Sequence, residues 1–478
     1  MKLIFKKSVP GRIGVSLPEL GVPESDLNIP KNYLRKDLKL PELSEVDVIR
    51  HYTALSENNF GVDSGFYPLG SCTMKYNPKV NESIASFNGF TDIHPYQSQE
   101  LSQGALALIY ELSRYLCEIT GMDAFSMQPA AGAHAELTGL MIAKAYFRSK
   151  KEERKNILIP DSAHGTNPAS SVGCGFDTIK IETDDKGNVD LDAINAALDK
   201  ETAALMITNP NTLGIFERNI VKICNIMHEN GALVYLDGAN MNPMLGITKP
   251  SDMGVDMMHL NLHKTFSAPH GGGGPGSGPL GVRDFLAEFL PTPIIEKKGD
   301  SYTLDYNRPK SIGSVKPYFG NFGVMVRAYA YIRMLGAKGL KDVAENAVLN
   351  ANYLMNKLKD DYLLPFDVLC KHEFVISGEK QAKFGVNTMD IAKRLMDYGF
   401  HPPTIYFPLI VKEAMMIEPT ETESKGTLDA FACVMHKIAE EVKSNPDIVN
   451  NAPHAPLPRR LDGVLAARKP IVKYEAEE

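Results

Sequence analysis

Residues 261–266 read Asn-Leu-His-Lys-Thr-Phe, which places Lys264 directly after a largely apolar run, 255–262, and before a glycine-rich turn at 271–274. The run has the character of a buried strand. An ammonium ion is costly to bury at a strand end, and burial favours the free amine, the nucleophile that a Schiff-base lysine requires. Alone, the His-Lys pair more often marks a surface lysine beside a loop, because short motifs recur by chance. One strand and turn upstream, the apolar run 232–236 ends in Asp237, followed by Gly238, Ala239 and Asn240. A single carboxylate there can keep a pyridine nitrogen protonated, so that a pyridoxal ring accepts electrons. Alone, Asp237 reads as a turn or helix-cap residue. At consecutive strand ends, Asp237 and Lys264 together point to pyridoxal 5'-phosphate (PLP).

Further polar clusters fall where strands are expected to end. Residues 129–134 (Pro-Ala-Ala-Gly-Ala-His) open a helix, and small side chains at Ala131, Gly132 and Ala133 would let backbone N–H groups and the helix dipole face a phosphate. A plain turn fits as well. His134, just inside that helix, joins the candidates. In 161–167 (Asp-Ser-Ala-His-Gly-Thr-Asn), His164 with Thr166 beside it could stack on a cofactor ring and move protons, although a lone histidine is more often structural. Asn209, in 208–212 (Thr-Asn-Pro-Asn-Thr), could hydrogen-bond a ring oxygen or form an Asx turn.

Competing motifs fail. Residues 271–276 match G-x-G-x-x-G but follow a loop and carry Pro275 where a helix should begin, which excludes a Rossmann site. The glycines read instead as backbone that bends close to a cofactor. No Gly-Lys-Ser/Thr is present for a P-loop, and His134-Ala135-Glu136 lacks the Pro-Cys-x-x-Cys partner of a zinc deaminase; no metal is expected.

Composition agrees with an enzyme of this kind. The 478 residues are enough for two or three domains and a large core, with 44% hydrophobic and 23% charged residues. A net charge of −7, mixed along the chain, gives no sign of nucleic acid or membrane as partner. No apolar run is long enough to span a bilayer, and residues 1–10 lack the apolar stretch of a signal peptide. The six cysteines show no CxxC spacing, which argues for a reducing compartment; a cytoplasmic protein is expected.

The elements that must position these residues alternate. Helices are expected at 105–120, 135–148, 191–198 and 220–229, and strands at 125–128, 157–159, 178–181, 203–208, 232–236 and 255–260. Short apolar strands between helices imply an α/β fold with a mostly parallel sheet covered on both faces. In such sheets ligands bind beyond the carboxyl ends of the strands, where five polar clusters lie: 132–134, 161–167, 209–212, 237–240 and 263–265. After Gly336 the pattern changes to a long helix, 340–359, then to an α+β arrangement with segments at 374–376, 389–398 and 415–417. The expected division is an N-terminal arm at 1–90, a cofactor-binding large domain at 91–335, and a small C-terminal domain with a tail at 336–478. Residues 65–78 are too apolar and aromatic for a free linker and read as an arm packed on another surface, a neighbouring subunit being one option. Cys72 within it reads as a packed structural thiol.

The segment 67–78 (Tyr-Pro-Leu-Gly-Ser-Cys-Thr-Met-Lys-Tyr-Asn-Pro), with 128–134 and 261–266, resembles the glycine decarboxylase P-protein family of the glycine cleavage system. The likeness covers most of the chain, and its length corresponds to the separate second, lysine-bearing subunit of the two-subunit form. The resemblance implies a fold-type I PLP enzyme that works with a homologous first subunit as an α2β2 assembly, on glycine and the lipoylated H-protein. The implied reaction releases carbon dioxide and passes an aminomethyl group to the lipoyl arm. It also implies that Lys264 and His164 are catalytic, that Ala239 lies under the ring, and that His263 and Thr265 lie beside it. Two alternatives stay open: an aminotransferase or amino-acid decarboxylase of the same fold type without a lipoyl partner, and a scaffold without catalysis.

Overall fold

The computed structural model describes residues 2–23, 28–36, 38–270, 274, 276–317, 319–455 and 459–474. Contacts divide the chain into two units, Met1–Gly65 and Phe66–Glu478. The first unit holds a helix, Glu45–Ser56, begun by a reciprocal cap in which Ser44 Oγ accepts from Asp47 N and the Asp47 carboxylate accepts from Ser44 N.

The second unit is built on a seven-stranded sheet. Its strands are β1 (Ala124–Ser126), β2 (Asn156–Pro160), β3 (Asp177–Ile181), β4 (Thr202–Thr208), β5 (Leu233–Gly238), β6 (Met257–Leu260) and β7 (Leu280–Val282), in the order β1-β7-β6-β5-β4-β2-β3. The pairs among β2 to β6 are parallel, and β7 lies antiparallel between β6 and β1. The central strands β4 and β5 are buried on both faces, as their unbroken Leu, Ile, Val and Met runs require. Burying each such side chain contributes about 1.5–3 kcal/mol. Helix Gln103–Thr120 precedes β1, and helices Gly132–Ser149, Thr166–Gly173, Leu191–Ala197 and Ile220–Glu229 connect the strands that follow.

A hairpin follows, β8 (Ile294–Lys298) with β9 (Ser301–Asp305), and then helical residues Phe322–Leu358, interrupted at Gly336, whose φ of 60° is left-handed. A second, antiparallel sheet orders β10 (Phe374–Ser377), β12 (Ala414–Ile417) and β11 (Thr404–Ile405), covered by helices Thr388–Asp397 and Lys425–Ser444. Strand β7, the hairpin and helix Lys425–Ser444 were not anticipated. The last was readable, since Ser424 caps it and its buried Leu428, Phe431, Ala432, Met435, Ile438, Ala439 and Val442 follow the helical period. The expected strand at 125–128 is three residues long and ends at Ser126.

Residues 66–78 pack on their own chain rather than waiting for a neighbour. Phe66 inserts beside Phe431, Tyr67 stacks on His401, and Leu69 bridges to Ile417. The backbone approaches β12 so closely at Gly70 that a Cβ there would lie 2.3 Å from Met416 Cγ and 2.8 Å from its carbonyl oxygen. Lys75, with 1% of its side chain exposed, reaches Glu421 at 2.8 Å, the Thr265 carbonyl at 2.6 Å and Tyr331 Oη at 3.2 Å. Burial disfavours this cation, but Glu421 and Tyr331 more than compensate and raise its pKa. The segment is thereby tied to the loop after β6. Among the described residues all six cysteines are free, and no helix is long and apolar enough to cross a membrane.

Breaking a buried pair leaves an uncompensated charge. Lys75→Met is therefore expected to lower the unfolding free energy by about 3–5 kcal/mol, measured by urea denaturation. A loss below about 1 kcal/mol would show that the pair does not tie the segment down.

Candidate functional site

The loops after β2, β4, β5 and β6, together with the start of the helix after β1, open into one cavity of about 240 Å³ at the carboxyl edge of the sheet. All five polar clusters expected from the sequence contribute to its lining. Ala131, Gly132, Ala133, His164, Thr166, Asp237, Ala239, His263 and Lys264 line it, while His134, Asn209 and Thr265 do not. His134 turns its Nδ1 back to accept from Ala130 N at 3.2 Å. Asn209 sits beneath the cavity with its Oδ1 on Glu217 N at 2.9 Å. Thr265 Oγ1 accepts from Met241 N at 2.8 Å, and its carbonyl accepts from Lys75.

Asp237 ends β5 and is 5% exposed. Burial works against its charge, but three partners and a cation offset this: His259 Nε2 at 3.3 Å, Ala239 N at 3.1 Å, Asn167 Nδ2 at 3.2 Å, and the nearby Lys264. Its pKa is held below the ordinary carboxylate range, so the group is an anion. The buried Tyr235 phenol, whose pKa burial pushes far up, faces His259 Nδ1 at 2.9 Å. Donation from this phenol leaves the imidazole proton on Nε2, facing Asp237.

Glu136 lies one helical turn beyond Gly132 and also lines the cavity. Burial, then the negative charge of Asp237, raise its pKa to about 7. Thr166 Oγ1 and Ser170 Oγ donate to it at 2.8 and 3.2 Å. His164, exposed at the cavity mouth, has Nδ1 3.0 Å from Thr166 Oγ1, and the surrounding protein lowers its pKa. Burial, then Lys264, lower that of His263 to about 4. The cavity histidines are thus neutral at pH 7.

Lys264 is half-buried rather than enclosed. Its Nζ faces the cavity and donates to the Ser71 carbonyl at 2.7 Å. Opposite it, the 18-residue helix Gly132–Ser149 presents its N-terminus, where the first N–H groups have no acceptor within the helix. A Cβ at Gly132 would lie 2.5 Å from Asn261 Oδ1 and 3.0 Å from His259 Nε2, so only glycine fits this close against those two side chains. Thr208 Oγ1 and Asn209 Nδ2 are buried polar atoms with no partner among the described residues. Of the glycine turn, Gly271, Gly272, Gly273 and Pro275 lie outside the described residues.

Sequence reasoning missed Ser71, Glu136, Asn240, His259, His372 and Glu373, all in the lining. Two of these had a local signal: Glu136 shares a helix face with Gly132, and His259 is a polar residue inside an apolar strand. Asn240 belongs to the expected cluster 237–240, and Ser71, His372 and Glu373 arrive from segments far away in the chain.

Residues 11–303 match the family model of the glycine cleavage system P-protein, and 343–457 match that of the glycine dehydrogenase C-terminal domain. The chain is 59% identical over 481 residues to a probable glycine dehydrogenase (decarboxylating) subunit 2 from Listeria innocua, covering 100% of this chain and 99% of that protein. A protein of the same name from Caldanaerobacter subterraneus is 60% identical over 476 residues, covering 99% and 98%. Among solved structures, an inhibitor-bound glycine decarboxylase (P-protein) of the glycine cleavage system superposes with a TM-score of 0.74 at 20% identity, over 86% of this chain and 93% of that one. A cysteine desulfurase from Escherichia coli superposes with a TM-score of 0.61 at 15% identity, over 80% and 96%. Both likenesses show the fold, that of the fold-type I PLP enzymes.

Glu136 has a testable signature. Its raised pKa means that the native state retains a proton which the unfolded chain has already released, so its contribution to stability falls as pH rises between about 4.5 and 7. Glu136→Gln is expected to flatten the fall between pH 5 and 8 by on the order of 2 kcal/mol, read from urea unfolding at each pH. Parallel pH profiles for the two proteins would contradict this.

Proposed function

The chain belongs to the glycine cleavage system P-protein family, and on that premise we propose that it is the PLP-lysine subunit of a glycine dehydrogenase that decarboxylates glycine and passes the aminomethyl group to the lipoyl arm of an H-protein. The observation that supports this best is the placement of the Lys264 amine and the ionised Asp237 carboxylate on one 240 Å³ cavity facing a helix N-terminus.

The residues fit PLP. Ala131, Gly132 and Ala133, which line the cavity at the start of an 18-residue helix, would hold its phosphate through backbone N–H groups. The unpartnered Thr208 hydroxyl, on the cavity wall, would meet a polar atom of a ring system. When bound, PLP supplies an electron sink for the charge left as carbon dioxide departs.

The chain's own groups do the rest. Asp237 holds a proton at the ring nitrogen, because a dry, ionised carboxylate stabilises a facing cation. His259, with its proton directed at Asp237 and its other nitrogen taken by Tyr235, fixes that carboxylate's orientation. Ala239 supplies a small floor, and His164 at the mouth offers a flat neutral face and a base. Lys264 holds the cofactor aldehyde through Nζ. The free lysine amine donates to the Ser71 carbonyl at 2.7 Å, which would give it a resting place whenever it is not bound to the aldehyde. His263 stands beside the lysine as a neutral ring whose Nδ1 accepts from Ser277 N at 3.3 Å.

The relatives' names include "subunit 2", which supports a first subunit as partner; we propose that this partner is homologous and the assembly α2β2. A cytoplasmic setting suits an enzyme with no membrane-crossing helix among the described residues.

Borohydride reduction of the PLP-supplemented protein is expected to leave a pyridoxyl adduct on Lys264. With the first subunit, labelled carbon dioxide should exchange into glycine only when H-protein is present, and Lys264→Ala should abolish the exchange. Asp237→Ala should lower it on the order of 10²–10³-fold, the usual cost of removing one preorganised electrostatic group. H-protein-independent turnover, or transamination, would place the protein with other PLP enzymes instead.

A further inference from the structure

The turn that receives the Lys264 amine is itself held in an unusual way. Ser71 and Thr73 both adopt left-handed backbone, with φ of 65° and 35°. Residues other than glycine keep that conformation only where their surroundings over-determine it. Here two buried carboxylates from the second sheet do so. Ser71 N–H donates to Glu373 Oε2 at 2.7 Å. Thr73 donates to Glu418 through its N–H at 3.1 Å and its hydroxyl at 2.8 Å. Asn240, from the loop after β5, donates to the same Glu418 oxygen as the hydroxyl at 2.9 Å.

Glu373 and Glu418 are 3% and 0% exposed, and oxygens of both lie within 4.8 Å of each other and of a nitrogen of His372. Among the described residues neither carboxylate is ion-paired to a lysine or arginine. The His372 Nε2 is 3.6 Å from Glu373 Oε1, and its Nδ1 is buried without a partner. Two carboxyls this close and this dry cannot both ionise. Consistent with that, burial and then the charge of Glu418 raise Glu373 to about 8, and burial raises Glu418 to about 7. Burial drives His372 down to about 3, so it cannot act as the balancing cation. Lys264 remains.

We propose that Glu373 and Glu418 share one proton and act as positioning residues: their single negative charge is the counter-ion of the Lys264 nitrogen, and their oxygens hold the 70–73 turn whose carbonyl receives it. The inference rests on reading Lys264 as the cofactor lysine. The other titratable groups facing that nitrogen are Asp237, the Cys72 thiol, and His164, His259, His263, His270 and His372. Burial raises the thiol and lowers every one of the histidines, so near neutrality Asp237 and the carboxyl pair supply the negative charge. Asp237 is engaged by His259 and Asn167, which leaves the pair to follow the lysine.

The test uses the PLP-reconstituted protein and titrates the lysine-linked chromophore with pH. Glu373→Gln and Glu418→Gln each leave one carboxyl, which ionises alone and keeps the charge, so each midpoint should stay near that of the wild type. Glu373→Gln/Glu418→Gln removes the charge and disfavours the cationic nitrogen. Its midpoint should fall by about one pH unit, a tenfold change in proton affinity. Glutamine retains an acceptor oxygen for Ser71 and Thr73, and thermal unfolding checks that the double variant folds.

A shift in each single variant as large as in the double would mean two independent charges and would overturn the shared proton. No shift in the double would reduce the pair to a backbone clamp. Infrared spectra of the cofactor-free protein give a second reading: each single variant should lose one protonated-carboxyl band, and an unchanged band would refute the pair. Absence of any lysine-linked chromophore in the wild type would remove the reading of Lys264 itself, whereas the infrared result stands apart from it.

Discussion

An ionised carboxylate at the end of a hydrophobic strand is the constraint on which the site depends. Asp237 terminates β5, the strand buried along its whole length, and its charge survives there only because donors surround it. Asn167 comes from the helix after β2, His259 from the neighbouring strand β6, and the Ala239 N–H from the turn that follows. The parallel register that sets β5 beside β6 fixes the second of these, with Asp237 directly opposite His259. Slip either strand by one residue and the imidazole would point to the other face of the sheet.

Around that anion the cavity is arranged to carry little other charge. Its histidines are neutral, since withdrawal from water and the Lys264 cation both oppose protonation. Glu136 is pushed toward the neutral form by the same anion it accompanies. A site in which most titratable groups are neutral suits chemistry that develops charge on a bound ring, because the few charges present act through a low dielectric.

The segment at 66–78 links the two sheets. It contacts β12 and helix Lys425–Ser444 through Gly70 and Phe66, the loop after β6 through Lys75 and Asn77, and the lysine amine through Ser71. The second sheet therefore reaches the cavity through this segment as well as through His372 and Glu373. The physical reason lies in the chain itself: a strained turn persists where buried acceptors hold it in place.

Local signals made much of this legible before any coordinates. Apolar runs of strand length separated by helical periods determined the parallel sheet, and the rule that ligands sit beyond its carboxyl edge singled out Lys264, Asp237 and the helix opening at Gly132. The antiparallel β7 escaped because a three-residue strand after a glycine turn has no period to detect. His134, Asn209 and Thr265 lie in the right loops, but side-chain direction there is set by hydrogen bonds to Ala130, Glu217 and Met241, which sequence spacing does not encode. Glu373 and Glu418 stand about 300 residues or more from the turn they hold, so only the tertiary fold could bring them to Lys264. The chain's own pattern determined which strand ends carry the chemistry. Packing of distant segments decided which side chains face the cavity and what charge they bear, because burial and neighbouring charges exist only once the chain is folded.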